Sequence, residues 1–155
     1  MLCKRIIACL DVRDGSVVKG INFKGLRTAG DPAELSRRYN SEGIDEIVIL
    51  DVTATIENRK ALALTIEAVS NEIFLPLCVG GGIKDEPTAH AAIEAGADKV
   101  SLNTAAIAKP ELLTDLARRY GSQAVIVAID AKRERGKFAI YVRAGNNRQT
   151  EMPSN

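Results

Sequence analysis

The sequence has no tryptophan, and aromatic residues make up only 4% of it. So few rings leave little from which to build base-stacking platforms for nucleic acid. There is one histidine, His90, and the three cysteines Cys3, Cys9 and Cys78 form no C-x-x-C pair. That set does not offer the ligand spacing of a zinc site, so no metal is expected. Charge of one sign is also missing: Lys+Arg is 21, Asp+Glu is 20, and the net charge is +1. The chain therefore lacks a broad basic footprint for nucleic acid or an anionic membrane surface. No apolar run approaches the roughly 18–20 residues of a membrane helix. The first run, Ile6 to Leu10, is shorter than the core of a signal peptide. A cytoplasmic location follows as the expectation. At 155 residues, with 46% hydrophobic and 26% charged residues, length alone suggests one ordinary globular domain.

What is present is an alternation of short apolar runs with longer helical stretches. The runs are Ile6–Leu10, Ile47–Leu50, Leu75–Val79, Val100–Leu102 and Ala124–Ile129. They are nearly continuous and rich in Val and Ile, the pattern of strands buried on both faces of a parallel sheet. Between them, Asp31-Pro32-Ala33-Glu34 combines an N-cap, a first-turn proline and a third-position glutamate, with Gly43 as the stop. Ala61–Ile73 reads as a second helix, Asp85-Glu86-Pro87 opens a third that closes near Gly96, and Pro110-Glu111 opens a fourth that closes at Gly121. The order β-α-β-α-β-α-β-α-β predicts an α/β fold with a parallel sheet. Phe138–Val142 could return as a short antiparallel strand after the polar turn 132–137. Residues 144–155 are expected to form a loosely ordered tail.

Each predicted strand ends in a polar or glycine signal: Asp11, Asp51, Gly80-Gly81-Gly82, Asn103-Thr104 and Asp130. Ligands bind beyond the carboxyl ends of strands in parallel α/β sheets and barrels. A capping or turn role is the plainer explanation for any one aspartate. Asp11 and Asp130 together favour function, because Ile6–Asp11 and Val125–Asp130 repeat one apolar pattern and end alike, as two half-barrels would. Two carboxylates on opposite sides of one mouth suit paired general acid–base work. Gly81 and Gly82 can bring backbone N–H groups close to an anion, although a tight turn explains them equally well. Asn103 and Thr104 add donors at the next strand end. The 19 residues from Val12 to Gly30, with four glycines and Lys19, are long for a connection and predict a lid-like loop. At the opposite strand ends, Arg5, Glu46 and Lys99 could be solvated strand starts or a charged ring.

The segments CLDVRDGSVVKGINF (9–23), DEIVILDVTAT (45–55), CVGGGIKD (78–85), GADKVSLNTAA (96–106) and SQAVIVAIDAKR (122–133) resemble the cyclase subunit of imidazole glycerol phosphate synthase, of histidine biosynthesis. The resemblance covers residues 1 to about 143. It implies a (βα)8 TIM barrel, here incomplete with about five parallel strands over 1–143, since a full barrel needs about 250 residues. It implies a cyclase that takes ammonia from a glutaminase partner in a heterodimer and acts on a phosphorylated small molecule, with no cofactor, no nucleic acid and no membrane. By the same resemblance Asp11 is the general base and Asp130 the general acid. Lys19 closes over the substrate, Asp51 supports the mouth, Gly81, Gly82, Asn103 and Thr104 hold a phosphate, and Arg5, Glu46 and Lys99 mark the ammonia entrance. The chain is expected to be an amino-terminal fragment with little or no activity alone. A non-catalytic half-barrel and the related phosphoribosyl isomerase of the pathway are the alternatives.

Overall fold

The first hairpin is closed by Asp14 and Gly15, both at positive φ (50° and 75°). That is the type I′ geometry whose twist matches paired strands, and Asp-Gly is among its preferred sequences. It joins β1 (Ile7–Arg13) to β2 (Ser16–Ile21), which pairs in turn with β3 (Lys24–Gly30). The segment expected to be a lid-like loop is therefore largely antiparallel sheet, and Lys19 lies on a strand opposite Arg27. Val12 and Val17, partners across this hairpin, are both buried and hold it against the core. The computed structural model describes residues 3–21, 24–52, 59–134, 136–142 and 147–149.

The chain then alternates helices and strands. They are α1 (Pro32–Ser41), β4 (Glu46–Asp51), α2 (Arg59–Ser70), β5 (Leu77–Gly80), α3 (Glu86–Glu94), β6 (Lys99–Leu102), α4 (Thr104–Ala108), α5 (Glu111–Tyr120) and β7 (Val125–Val127). Caps begin the helices as the sequence suggests: Asp31 accepts the Glu34 N–H, and Asp85 forms a reciprocal capping box with Thr88. α4 was not expected; its five residues are too short to show a helical period.

Described strands form one sheet in the order β3-β2-β1-β4-β5-β6-β7, with β1, β4, β5, β6 and β7 parallel. The sheet is open: β3 and β7 are its outer members. Alternation along the strands sends Ile47, Ile49, Leu77, Val79, Val100 and Leu102 to one face, all at 1% exposure or less. Ile66 and Val69 of α2 and Leu112 and Leu116 of α5 complete this core. Each such side chain contributes about 1.5–3 kcal/mol by burial. The other face carries Ile7, Cys9, Val48 and Ile126, which are half-buried or exposed.

A second, antiparallel sheet follows: β8 (Asp130–Glu134), β9 (Lys137–Val142) and β10 (Asn147–Gln149). β9 fulfils the expected return strand. β10 falls within the stretch expected to be loosely ordered; its polar Asn-Arg-Gln sequence has no apolar alternation to announce a strand, and pairing with β9 forms it. Among the described residues, no helix is long and apolar enough to cross a membrane.

Candidate active site at the carboxyl ends of the strands

The parallel strands end beneath a cavity of about 1440 Å³. Asp11, Asp51, Gly81 and Gly82 line one side of it, and Asn103, Thr104 and Asp130 the other. Lys19 is not among the lining residues. The strand register explains the grouping. Asp11 lies beside Leu50, Leu50 beside Gly80, and Gly80 beside Ser101, so the carboxyl ends are level across the sheet.

Gly81 and Gly82 have φ of 82° and 71°, a left-handed turn that other residues adopt only with strain. At Gly81 space is decisive as well: a Cβ there would stand 2.1 Å from the Asp51 carbonyl oxygen and 2.6 Å from its nitrogen. The turn is thus packed directly on the backbone at the end of β4. Consecutive amides in such a turn form a concavity suited to an anion.

Asp11 is half-buried, and burial raises its carboxyl pKa above the ordinary value, because low dielectric disfavours the charged form. Asp130 stands where β7 gives way to β8. The Asn103 side-chain amide donates to its carboxylate at 3.1 Å, fixing it from the neighbouring strand end. The amide oxygen of Asn103 is buried and has no hydrogen-bond partner among the described residues. Such an oxygen loses its water without replacement, a cost of about 1–3 kcal/mol that a bound donor would relieve.

Sequence reasoning missed several lining groups. Lys84, Lys109 and Lys132 bring positive charge to the cavity, and Tyr141 brings a ring. Lys132 was legible in principle: two residues beyond Asp130 on one strand, it shares its face.

At the other end of the strands, Glu46 is 2% exposed. Arg5 Nη1 donates to one carboxylate oxygen at 2.9 Å and Lys99 Nζ to the other at 2.8 Å. This is a buried carboxylate held between two cations, not a row of solvated strand starts. Beside it, Cys78 is buried, and its thiol is pushed up to about 11, mainly by burial and then by the Glu46 charge. The mouth and this cluster are separated by the length of a strand, about 16 Å at 3.3 Å per residue.

Parallel strands with helices on one face and functional groups gathered at the carboxyl ends define the class: an α/β protein of the (βα) barrel kind. A family model described as histidine biosynthesis protein matches residues 5–153, and the chain belongs to that family. It is similar to the imidazole glycerol phosphate synthase subunit HisF of Thermotoga sp. (strain RQ2), 56% identical over 145 residues. It is 54% identical to the subunit HisF of Chlorobaculum tepidum and 55% to that of Prosthecochloris aestuarii, again over 145 residues. Each alignment covers 94% of this chain but only 57% or 58% of the relative. The chain thus spans somewhat over half the length of these relatives.

Proposed function

We propose that the chain carries the ammonia-dependent cyclase chemistry of imidazole glycerol phosphate synthase. In that lyase-type reaction, ammonia joins a phosphoribulosyl-formimino aminoimidazole carboxamide ribotide. The products are imidazole glycerol phosphate, aminoimidazole carboxamide ribotide and one water, the last carrying away the ribulosyl carbonyl oxygen as the ring closes. The observation that carries the reading is the convergence of Asp11, Asp130, the Gly81–Gly82 turn and Asn103–Thr104 on one cavity.

Asp11 acts as the general base during ring closure. Its raised pKa supports this role, since a base titrating nearer the working pH transfers protons more effectively. Asp130, oriented by Asn103, returns a proton as general acid. The amides of Gly81 and Gly82, with Asn103 and Thr104, hold one phosphate. Asp51 steadies the mouth, its backbone packed on Gly81. Lys19, on the first hairpin, reaches the substrate only if that hairpin bends toward the mouth. Arg5, Glu46 and Lys99 form the ammonia entrance, and a glutaminase subunit supplies ammonia from that side. The protein works in the cytoplasm, in keeping with three free thiols. Residues 1–143 form the part of the barrel present here.

Ammonia-dependent turnover tests this reading. The chain should be inactive or weak alone, and should gain turnover when the rest of a relative's barrel is supplied as a second polypeptide. Asp11→Asn and Asp130→Asn should each abolish the gain. No turnover in the mixture, or full turnover with either variant, would overturn the assignment. Turnover of the isomerase substrate without ammonia would indicate the related isomerase instead.

A further inference from the structure

Tyr141 is the sole aromatic side chain that lines the cavity among the described residues, in a chain with only three tyrosines and three phenylalanines. Its position follows from the β8–β9 register. Tyr141 lies directly opposite Asp130, Ala139 opposite Lys132, and Lys137 opposite Glu134. Directly opposed residues in an antiparallel pair project from the same face, with Cβ atoms about 4.5–5.5 Å apart. Asp130, Lys132, Glu134 and Tyr141 therefore share one face of this hairpin, and three of the four line the cavity.

The direction of the ring is set as well. The Tyr141 hydroxyl donates to the Glu134 carboxylate, although Glu134 pairs four residues further along β8 than Asp130. To reach it, the ring must extend along the hairpin over Ala139, whose small side chain leaves room. The ring thus lies on the face that Asp130 and Lys132 share, and Tyr141, like both of them, lines the cavity. Phe138, by contrast, projects from the opposite face, where Arg133 stacks on it with the guanidinium 5.2 Å from the ring centroid.

We propose that Tyr141 is a stacking platform for a planar nitrogen heterocycle bound beside Asp130, and so a specificity-determining residue for the ring-bearing end of the substrate. The inference rests on the cyclase reading, in which an aminoimidazole carboxamide leaves from the site. Glu134 positions the ring, and Lys132 sets an ammonium between the positions of Asp130 and Glu134 on the same face. A stacked heterocycle would be aligned over the hairpin while its phosphate is held at the strand ends.

Two probes separate ring recognition from phosphate recognition: aminoimidazole carboxamide ribotide and ribose 5-phosphate. Calorimetric titration of the whole chain should give tighter binding of the ribotide. Tyr141→Leu should weaken ribotide binding about 5- to 150-fold, the range for base–aromatic stacking. Ribose 5-phosphate binding should hold steady, which also reports an intact fold. Tyr141→Phe, which keeps the ring, should retain most of the preference. Because the chain has no tryptophan, tyrosine emission is directly readable. The ribotide should quench it in the parent protein and lose most of that quenching in Tyr141→Phe, whereas ribose 5-phosphate should quench neither. Equal affinity of the parent for both probes, equal losses on both in Tyr141→Leu, or Tyr141→Phe falling with Tyr141→Leu would overturn the stacking role and leave the phosphate site standing. Failure of the parent to bind either probe would overturn the cyclase reading and the stacking role together.

Discussion

Replacing Gly81 by alanine should be among the most damaging single-methyl changes in this protein. Two costs combine. The backbone there has φ of 82°, and holding an L-residue in that region costs about 1–2 kcal/mol. The added Cβ would also lie 2.1, 2.6 and 2.8 Å from the oxygen, nitrogen and carbonyl carbon of Asp51. All three are backbone atoms at the end of a central strand, so no rotamer change relieves the overlap. The strand end or the turn must move, at about 1–3 kcal/mol by analogy with overpacked cores. The sum is about 2–5 kcal/mol, a large share of a typical domain stability of about 5–15 kcal/mol. Gly80→Ala is the control. Its Cβ would meet the Leu50 Cδ2 at 2.8 Å and the Ser101 Cβ at 3.1 Å, both side-chain atoms, and its φ is not in the left-handed region. It should cost about 1–2 kcal/mol. Urea unfolding followed by circular dichroism reads the difference. With a slope of about 1–3 kcal/mol per molar, Gly81→Ala should lower the midpoint by about 1 M or more. A cost at Gly81 no greater than at Gly80 would refute the close packing of the glycine turn on Asp51.

Three further outcomes follow from the same structure. Ser36 is fully buried on α1 and its hydroxyl has no partner among the described residues, so Ser36→Ala should leave stability unchanged or raise it by about 1 kcal/mol in urea unfolding. A clear loss would mean that the hydroxyl is bonded. Glu46→Ala strips Lys99, 19% exposed, of its carboxylate partner and should cost about 3 kcal/mol, whereas Arg5→Ala, at a side chain 60% exposed, should cost about 1 kcal/mol or less. Equal costs would deny the burial of the cluster. Asp11 has a folded pKa raised by burial, so between its unfolded and folded values the folded state binds more protons and stability falls as pH rises. Asp11→Asn should therefore match the parent below the ordinary carboxylate range and become the more stable of the two as pH rises through it. Midpoints measured from pH 3 to pH 7 check the sign.

The parallel strands were readable because their apolar runs are nearly unbroken: Ile47, Ile49, Val79 and Val100 end up almost wholly buried on one face, whereas the burial expected on the second face is not found at Ile7, Cys9, Val48 and Ile126, which are half-buried or exposed. The strand-end residues were readable for a related reason, since each polar residue that halts such a run must lie at the same end of a parallel sheet. The antiparallel pairing of 12–30 escaped because the four glycines of that segment read as loop punctuation, although Asp14-Gly15 carried the turn signal of its first hairpin. The state of Glu46 was not locally legible. Its partners are 41 residues upstream and 53 downstream, and only β-sheet register unites them. Tyr141 escaped for the same reason: its place beside Asp130 depends on hairpin pairing, not on any motif.

The central claim is that the carboxyl ends of the parallel strands form a site for a phosphorylated ligand. Amide NMR shifts during titration of the chain with ribose 5-phosphate test it most directly. The account predicts saturable shifts at Gly81, Gly82 and Thr104, with Glu46 and Lys99 at the far end unmoved. Shifts confined to the far end, or none at any of these amides, would contradict it.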